Sequence, residues 1–230
     1  MKERAKTGGR WGKRLLTAGI LCAAAAAALF VYNKVMDVNA GQFSQRVVGE
    51  IKDCIARPSE RVEGDGGKAD GSPAPSMAEG ESEQQPGREP AQQTGDASYA
   101  QYVQVEGYSF MGYLTIPDLG LELPVMSDWN YDKLNISPCR SAGSVVTRDL
   151  VIAAHNYDSH FGAIGSLREG AEVIFTNTGG DSFHYSVALI DTLNPVEINK
   201  MTAGEYDLSL FTCTLSGTAR VTVRCVFSAS

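Results

Sequence analysis

Residues 208–227 read LSLFTCTLSGTARVTVRCVF. The apolar run Leu208–Thr212 ends on Cys213, and a second β-branched run opens at Arg220. Between them lies a short polar loop containing Gly217. Two strand-like runs joined in this way read as a hairpin or as neighbouring strands. That arrangement sets a thiol beside a guanidinium at one end of a sheet. A thiol near a fixed positive charge ionises more readily and becomes a better nucleophile. Cys225 alternates with Val221, Val223 and Phe227, which predicts an apolar face. Arg220, Thr222 and Arg224 are expected on the other.

Working outward, strands are expected over 112–116, 121–125, 143–146, 150–155, 172–176 and 182–194, with Phe183, Tyr185, Val187 and Leu189 alternating as a half-buried strand should. Residues 177–181 (NTGGD) read as a turn. Short helical turns fit at 130–134 and 160–167. Many short strands with punctuating turns imply a mainly β barrel or sandwich. No internal repeat is evident.

Residues 58–97 contain no Leu, Ile, Phe, Tyr or Trp and are rich in Gly, Pro, Ser, Glu and Gln. Such a segment cannot bury enough apolar surface to fold. It reads as a disordered stalk that lets an attached domain sample its surroundings, or as a plain spacer. Residues 34–57 show a loose helical stripe of Val35, Val38, Gln42, Val47, Ile51 and Ile55.

The N-terminus is basic, with Lys2, Arg4, Lys6, Arg10, Lys13 and Arg14 against Glu3. No charge then occurs from Leu15 to Tyr32. As a helix that stretch spans about 27 Å, enough for a bilayer core. The basic side is expected in the cytoplasm and the rest outside. A cleaved signal peptide is the alternative, with Val38-Asn39-Ala40 as the small-residue site. The domains expected are a cytoplasmic tail (1–14), a transmembrane signal anchor (15–33), an extracellular juxtamembrane segment and linker (34–106), and one folded domain (107–230).

The net charge of −7 argues against a nucleic-acid partner. The five cysteines do not form a disulfide framework. Cys22 falls in the apolar segment and Cys54 before the stalk. A Cys139–Cys225 bridge is possible, and small buried filler is the commoner role for such residues. No metal-ligand cluster or cofactor motif is evident.

Of the three histidines, His184 reads as an exposed strand position and His160 as a surface or capping residue. His155 follows the buried run Leu150–Ala154, where that strand emerges. It is held rigidly yet can face solvent, and imidazole titrates where proton transfer is useful.

These pieces resemble the sortase family, the cysteine transpeptidases of Gram-positive cell surfaces. The likeness covers about residues 107–230. Gly112–Pro117 and Leu121–Val125 are similar to the opening strands, Leu150–Asn156 to the histidine strand, and Leu210–Cys213 to the cysteine signature. Arg220 falls where the family has its arginine. Arg224 is a rival on the same expected face, and Arg220 is preferred because it lies nearer the strand end. Ser209 and Ala154 depart from the usual Thr and Gly without removing a catalytic group. No Asp-Pro-aromatic lid precedes the barrel, no second hydrophobic helix follows Phe227, and the connection between Asn194 and Leu208 is short. The subclass stays open.

The resemblance implies an eight-stranded β-barrel with short helices, with Cys213, His155 and Arg220 as catalytic residues and no cofactor. It implies cleavage of a sorting motif similar to Leu-Pro-x-Thr-Gly through a thioacyl-enzyme. The acyl group then passes to an amine of a cell-wall precursor or a pilin lysine. Sorting-signal-bearing surface proteins and the membrane are the expected partners. An extracellular cysteine peptidase acting by hydrolysis and a non-enzymatic surface β-domain are the competing readings.

Overall fold

The structure is a computed structural model and describes residues 8–57, 101–194, 196–197, 200, 205–214 and 216–228. Nine strands form one sheet: β1 (Val103–Val105), β2 (Tyr108–Ile116), β3 (Leu121–Met126), β4 (Cys139–Ala142), β5 (Leu150–Ala153), β6 (Glu172–Asn177), β7 (Ser182–Leu193), β8 (Leu208–Cys213) and β9 (Arg220–Phe227). Their order is β1-β2-β3-β4-β5-β8-β9-β7-β6, and β2 also pairs with β6. That last pairing closes eight strands into a barrel and leaves β1 as a short addition to β2. The pairings are antiparallel except β3–β4 and β5–β8, which are parallel.

The barrel closes because its inward positions are apolar. Leu114 and Ile116 of β2, Leu150 and Ile152 of β5, Val173 and Phe175 of β6, and Leu208 and Leu210 of β8 share one buried cluster. Each such side chain contributes roughly 1.5–3 kcal/mol on leaving water. Cys225 joins this cluster and Cys139 a second one. Both are free thiols, so no bridge joins them.

Helix α1 (Gly8–Ala56) and the short helix α2 (Tyr131–Leu134) complete the elements used below. The apolar segment and the stretch after it form a single unbroken helix. Its first half leaves Leu15, Leu16, Ile20, Leu21, Leu29 and Phe30 exposed, and it is long and apolar enough to cross a membrane. Its second half packs on the barrel. Val47 and Ile51 are buried with Val105, Phe110, Met126 and Cys139, and Lys52 forms an ion pair with Glu122 of β3 at 2.8 Å.

The docked face differs from the expected stripe. Asp37, Ala40, Ser44, Val47, Val48 and Ile51 are buried, whereas Val35, Val38 and Gln42 are exposed. Two polar residues in the buried row break the apolar period. The expected stalk lies outside the described residues. Before it, α1 already packs on the barrel.

Other expectations also shift. The strand expected at 143–146 is displaced to Cys139–Ala142. Gly143 turns the backbone with φ of +65°, a left-handed conformation suited to glycine. Ser144 N–H donates to Asp149 Oδ1 at 3.1 Å, so Val145 and Val146 sit in a turn. The short helical turns expected at 160–167 are present, as turns and a three-residue 3-10 segment, Ile164–Ser166.

On β9, Thr222 and Arg224 are buried rather than exposed, and Phe227 is exposed. Arg224 is satisfied in place, donating to Ser209 Oγ at 2.9 Å and to the Lys200 carbonyl at 2.7 Å. His160 is fully buried rather than on the surface.

Candidate active site

Cys213 ends β8 and Arg220 begins β9, and the two are direct cross-strand partners. The six-residue connection is folded on itself by the Thr214 N–H donating to the Ala219 carbonyl at 2.9 Å. Cys213 is half-exposed there. Arg220 Nη1 turns back to its own loop and donates to the Ala219 carbonyl at 3.2 Å.

On the other side of β8 lies β5, in parallel register with Ala153 opposite Phe211. Ala154 N–H continues the ladder to the Phe211 carbonyl at 3.2 Å. Carried one step further, that register brings His155 level with Cys213. The barrel therefore gathers Cys213, His155 and Arg220 at the same end of three adjacent strands. Among the described residues no direct hydrogen bond joins the three side chains.

His155 is held from two directions. Its Nε2 lies 2.9 Å from Asn135 Oδ1, just past the end of α2. An amide oxygen only accepts, so Nε2 carries the hydrogen and Nδ1 keeps the lone pair of the neutral ring. The Tyr157 ring stacks 5.1 Å away, and His160 stacks 5.6 Å beyond that. Burial holds His155 below the usual histidine range, favouring the uncharged base.

A cleft of about 430 Å³ opens beside the thiol. Asn156, Phe161, Gly162, Cys213, Thr214 and Val221 are among its walls. These include the neighbours of His155 and Arg220 in sequence. The cleft is largely apolar with a few polar groups, a common form for a ligand site.

The other cysteines and histidines are placed differently. Burial pushes the Cys139 and Cys225 thiols up to about 12, which leaves both uncharged. His184 pairs with Glu172 at 2.9 Å on the barrel surface. Asn135 and Tyr157 are neighbours of His155 that sequence reading misses, since neither belongs to a strand pattern or a recognisable spacing. Among the described residues, no group of three or more His, Cys, Asp or Glu is arranged to hold a metal.

A family model for the sortase domain matches residues 114–230. No curated protein matched the chain. Among solved structures, it is similar to sortase A from Corynebacterium diphtheriae at 20% identity and a TM-score of 0.47, over 54% of this chain and 62% of that one. The chain thus spans less than two thirds of that relative. It is also similar to sortase C from Clostridium perfringens SM101, at 22% identity and a TM-score of 0.48, over 60% of this chain and 77% of that one. Sortase C of Streptococcus pneumoniae aligns at 20% identity and a TM-score of 0.48, over 55% of this chain and 72% of that one.

Proposed function

This chain belongs to the sortase family, and from that premise we infer that it is a membrane-anchored cysteine transpeptidase with Cys213, His155 and Arg220 as its catalytic residues. The observation that carries this reading is the position of Cys213. It is half-exposed at a strand end, opposite Arg220, level with His155 and open to a cleft.

In the first step the Cys213 thiol gives its proton to the free nitrogen of His155. The thiolate attacks a peptide carbonyl of a sorting motif, and the C–N bond breaks. The departing amine takes the proton from His155, and a thioester remains. In the second step an amine of a cell-wall precursor or pilin lysine attacks the thioester and loses its proton to His155. The new amide forms and the thiolate leaves. Dividing acyl transfer in this way replaces one difficult step with two easier ones. Arg220, released from its own loop, supplies a cation to the carbonyl oxygen as charge builds there. A cationic donor at the developing oxyanion contributes on the order of 3 kcal/mol.

Sorting-signal-bearing surface proteins are the acyl donors in this scheme. Residues 1–14 lie in the cytoplasm and 15–33 in the bilayer. The docked half of α1, the linker and the catalytic barrel (107–230) lie outside. The exposed apolar surface of α1 and the basic tail before it support this placement.

The test is a library of Leu-Pro-x-Thr-Gly-like peptides incubated with the protein, with and without an added amine. A thioacyl adduct on Cys213 and an amine-dependent peptide product are expected. Hydrolysis with every amine tried would overturn the transpeptidase reading. No adduct on Cys213 would overturn the site.

A further inference from the structure

The same α1 that carries the apolar segment also holds the loop after His155, and very little chain separates the two contacts. Tyr32 closes the uncharged stretch, and Lys34 follows two residues later. Lys34 Nζ lies 2.7 Å from Asp158 and 2.9 Å from Asp37. Asp37 Oδ1 accepts from the Ser159 N–H at 3.0 Å, and the Asp37 carbonyl accepts from Ser159 Oγ at 2.9 Å. One turn on, a Cβ added to Gly41 would come within 3.0 Å of Ser159 Cβ. Helix and loop are thus in van der Waals contact, and a larger residue would push them apart. Tyr157, whose ring stacks on His155, is held above the usual tyrosine range by burial first, and then by Tyr32 and Asp37.

Distance along the helix places this loop. From Tyr32 to Asp37 the axis advances about 7.5 Å. The headgroup layer on one side of a bilayer is roughly 5–8 Å deep. If residues 15–32 fill the hydrocarbon, Asp158 and Ser159 meet the helix at headgroup depth.

A second observation belongs to the same end of the barrel. Trp129 and Tyr131 form an edge-to-face pair with ring centroids 5.8 Å apart. They are 46% and 76% exposed. Tyr131 opens α2, one turn before the Asn135 that holds His155. Exposed Trp and Tyr side chains are the residues that settle at a membrane–water interface.

We propose that the barrel rests directly on the bilayer, with the His155 loop at headgroup depth and the Trp129–Tyr131 pair as its second point of contact, so that the partner of this face is a lipid surface. This rests on the reading of residues 15–33 as a membrane anchor. The site then works on peptides and amines presented at the membrane surface, with its height fixed by a helix rather than by the linker.

Fluorescence depth measurement tests it on the full chain. The Trp11→Phe variant leaves Trp129 as the sole tryptophan, and is reconstituted into phosphatidylcholine vesicles with a nitroxide on the lipid headgroup. Loss of most Trp129 emission is expected, relative to the same protein in unlabelled vesicles. A flexible Gly-Ser segment inserted between Tyr32 and Asn33 should restore that emission. It should leave alkylation of Cys213 unchanged, because the docked half of α1 is untouched. Protein that floats with the vesicles but keeps full Trp129 emission would overturn this proposal and leave the anchor standing. Quenching that survives the insertion would show that α1 does not set the height, and would also overturn it. Protein that does not float with the vesicles would sink the anchor and this proposal together.

Discussion

Strands β8 and β9 carry two cysteines and two arginines, and the barrel treats the two sets in opposite ways. Cys213 and Arg220 face each other at the strand ends, beside a cleft. Cys225 pairs with Leu208 at the other end of the same two strands, inside the apolar core. Arg224 is 4% exposed and already bonded to Ser209 and to the Lys200 carbonyl. Residue type is alike in the two sets. Position along the strand differs. It leaves one thiol reachable and holds the other protonated, with a pKa pushed up to about 12 by burial. It leaves one guanidinium near the cleft and makes the other a structural pin.

The sharpest test of that contrast exchanges the thiols one at a time. Cys213→Ala should lower turnover by at least ~10⁴-fold, as loss of a nucleophile does, with little change in melting temperature. Cys225→Ala should keep turnover and cost about 1–2 kcal/mol of stability through a small core cavity. Peptide cleavage and thermal unfolding measured side by side would separate them. Turnover surviving in Cys213→Ala would end the comparison.

The arginines should divide the same way with smaller effects. Arg220→Ala is expected to lose about 10²–10³-fold in kcat, in the range of a missing oxyanion donor, while its urea midpoint stays put. Arg224→Ala should turn over nearly as wild type and lose roughly 2–3 kcal/mol, because a hydrogen-bonded buried charge is removed. If Arg224 were the residue whose loss stopped catalysis, the contrast drawn from position along the strand would fail.

Asn135 extends the comparison to the histidine. Asn135→Ala should slow kcat by roughly tenfold, part of the 10²–10⁴ that proton transfer contributes, and should shift the pH–rate profile. Asn135→Asp, which keeps the acceptor, should recover part of the loss. A drop in melting temperature with no change in the pH profile would mean that Asn135 serves only the fold.

A further effect is read in stability. His160 is buried with Nδ1 unpartnered, and its Nε2 lies 3.5 Å from Ser44 Oγ of α1. Burial, with His155 nearby, pulls it down to about 4, from an ordinary value of about 6.5. Between those values the unfolded chain binds the extra proton and the folded chain does not. Stability is therefore full above about pH 6.5 and falls as the pH drops towards 4, by up to about 1.4 kcal/mol per unit. The depressed His155 acts in the same direction. Thermal unfolding across this window should show the slope, and His160→Gln should flatten it.

Much of this was legible in the sequence because alternation is a local signal. The β8–β9 pairing, with Cys213 opposite Arg220, and the emergence of His155 after β5 both follow from runs of a few residues. What could not be read depends on contacts between distant segments. Asp37 and Ser44 interrupt the apolar row of α1 because they bond to Ser159 and His160, more than a hundred residues away. His160 reads as a loop histidine until α1 covers it. Arg224 alternates like a solvent-facing residue, and the Lys200 carbonyl and the Tyr206 ring lie against it. Val145 and Val146 have strand chemistry, but Gly143 and Asp149 bend the chain first. Asn135 carries no pattern at all, and its importance comes only from what it touches.

The parallel seam between β5 and β8 has a further consequence. Its paired residues, such as Ala153 and Phe211, are roughly sixty positions apart, and the β6–β7 pair is inserted between them. Contacts of such separation are entropically costly and slow to form. A half-folded chain holds both the imidazole and the thiol but does not yet place them side by side. Bringing the sulfur and the imidazole together is therefore among the last events of folding.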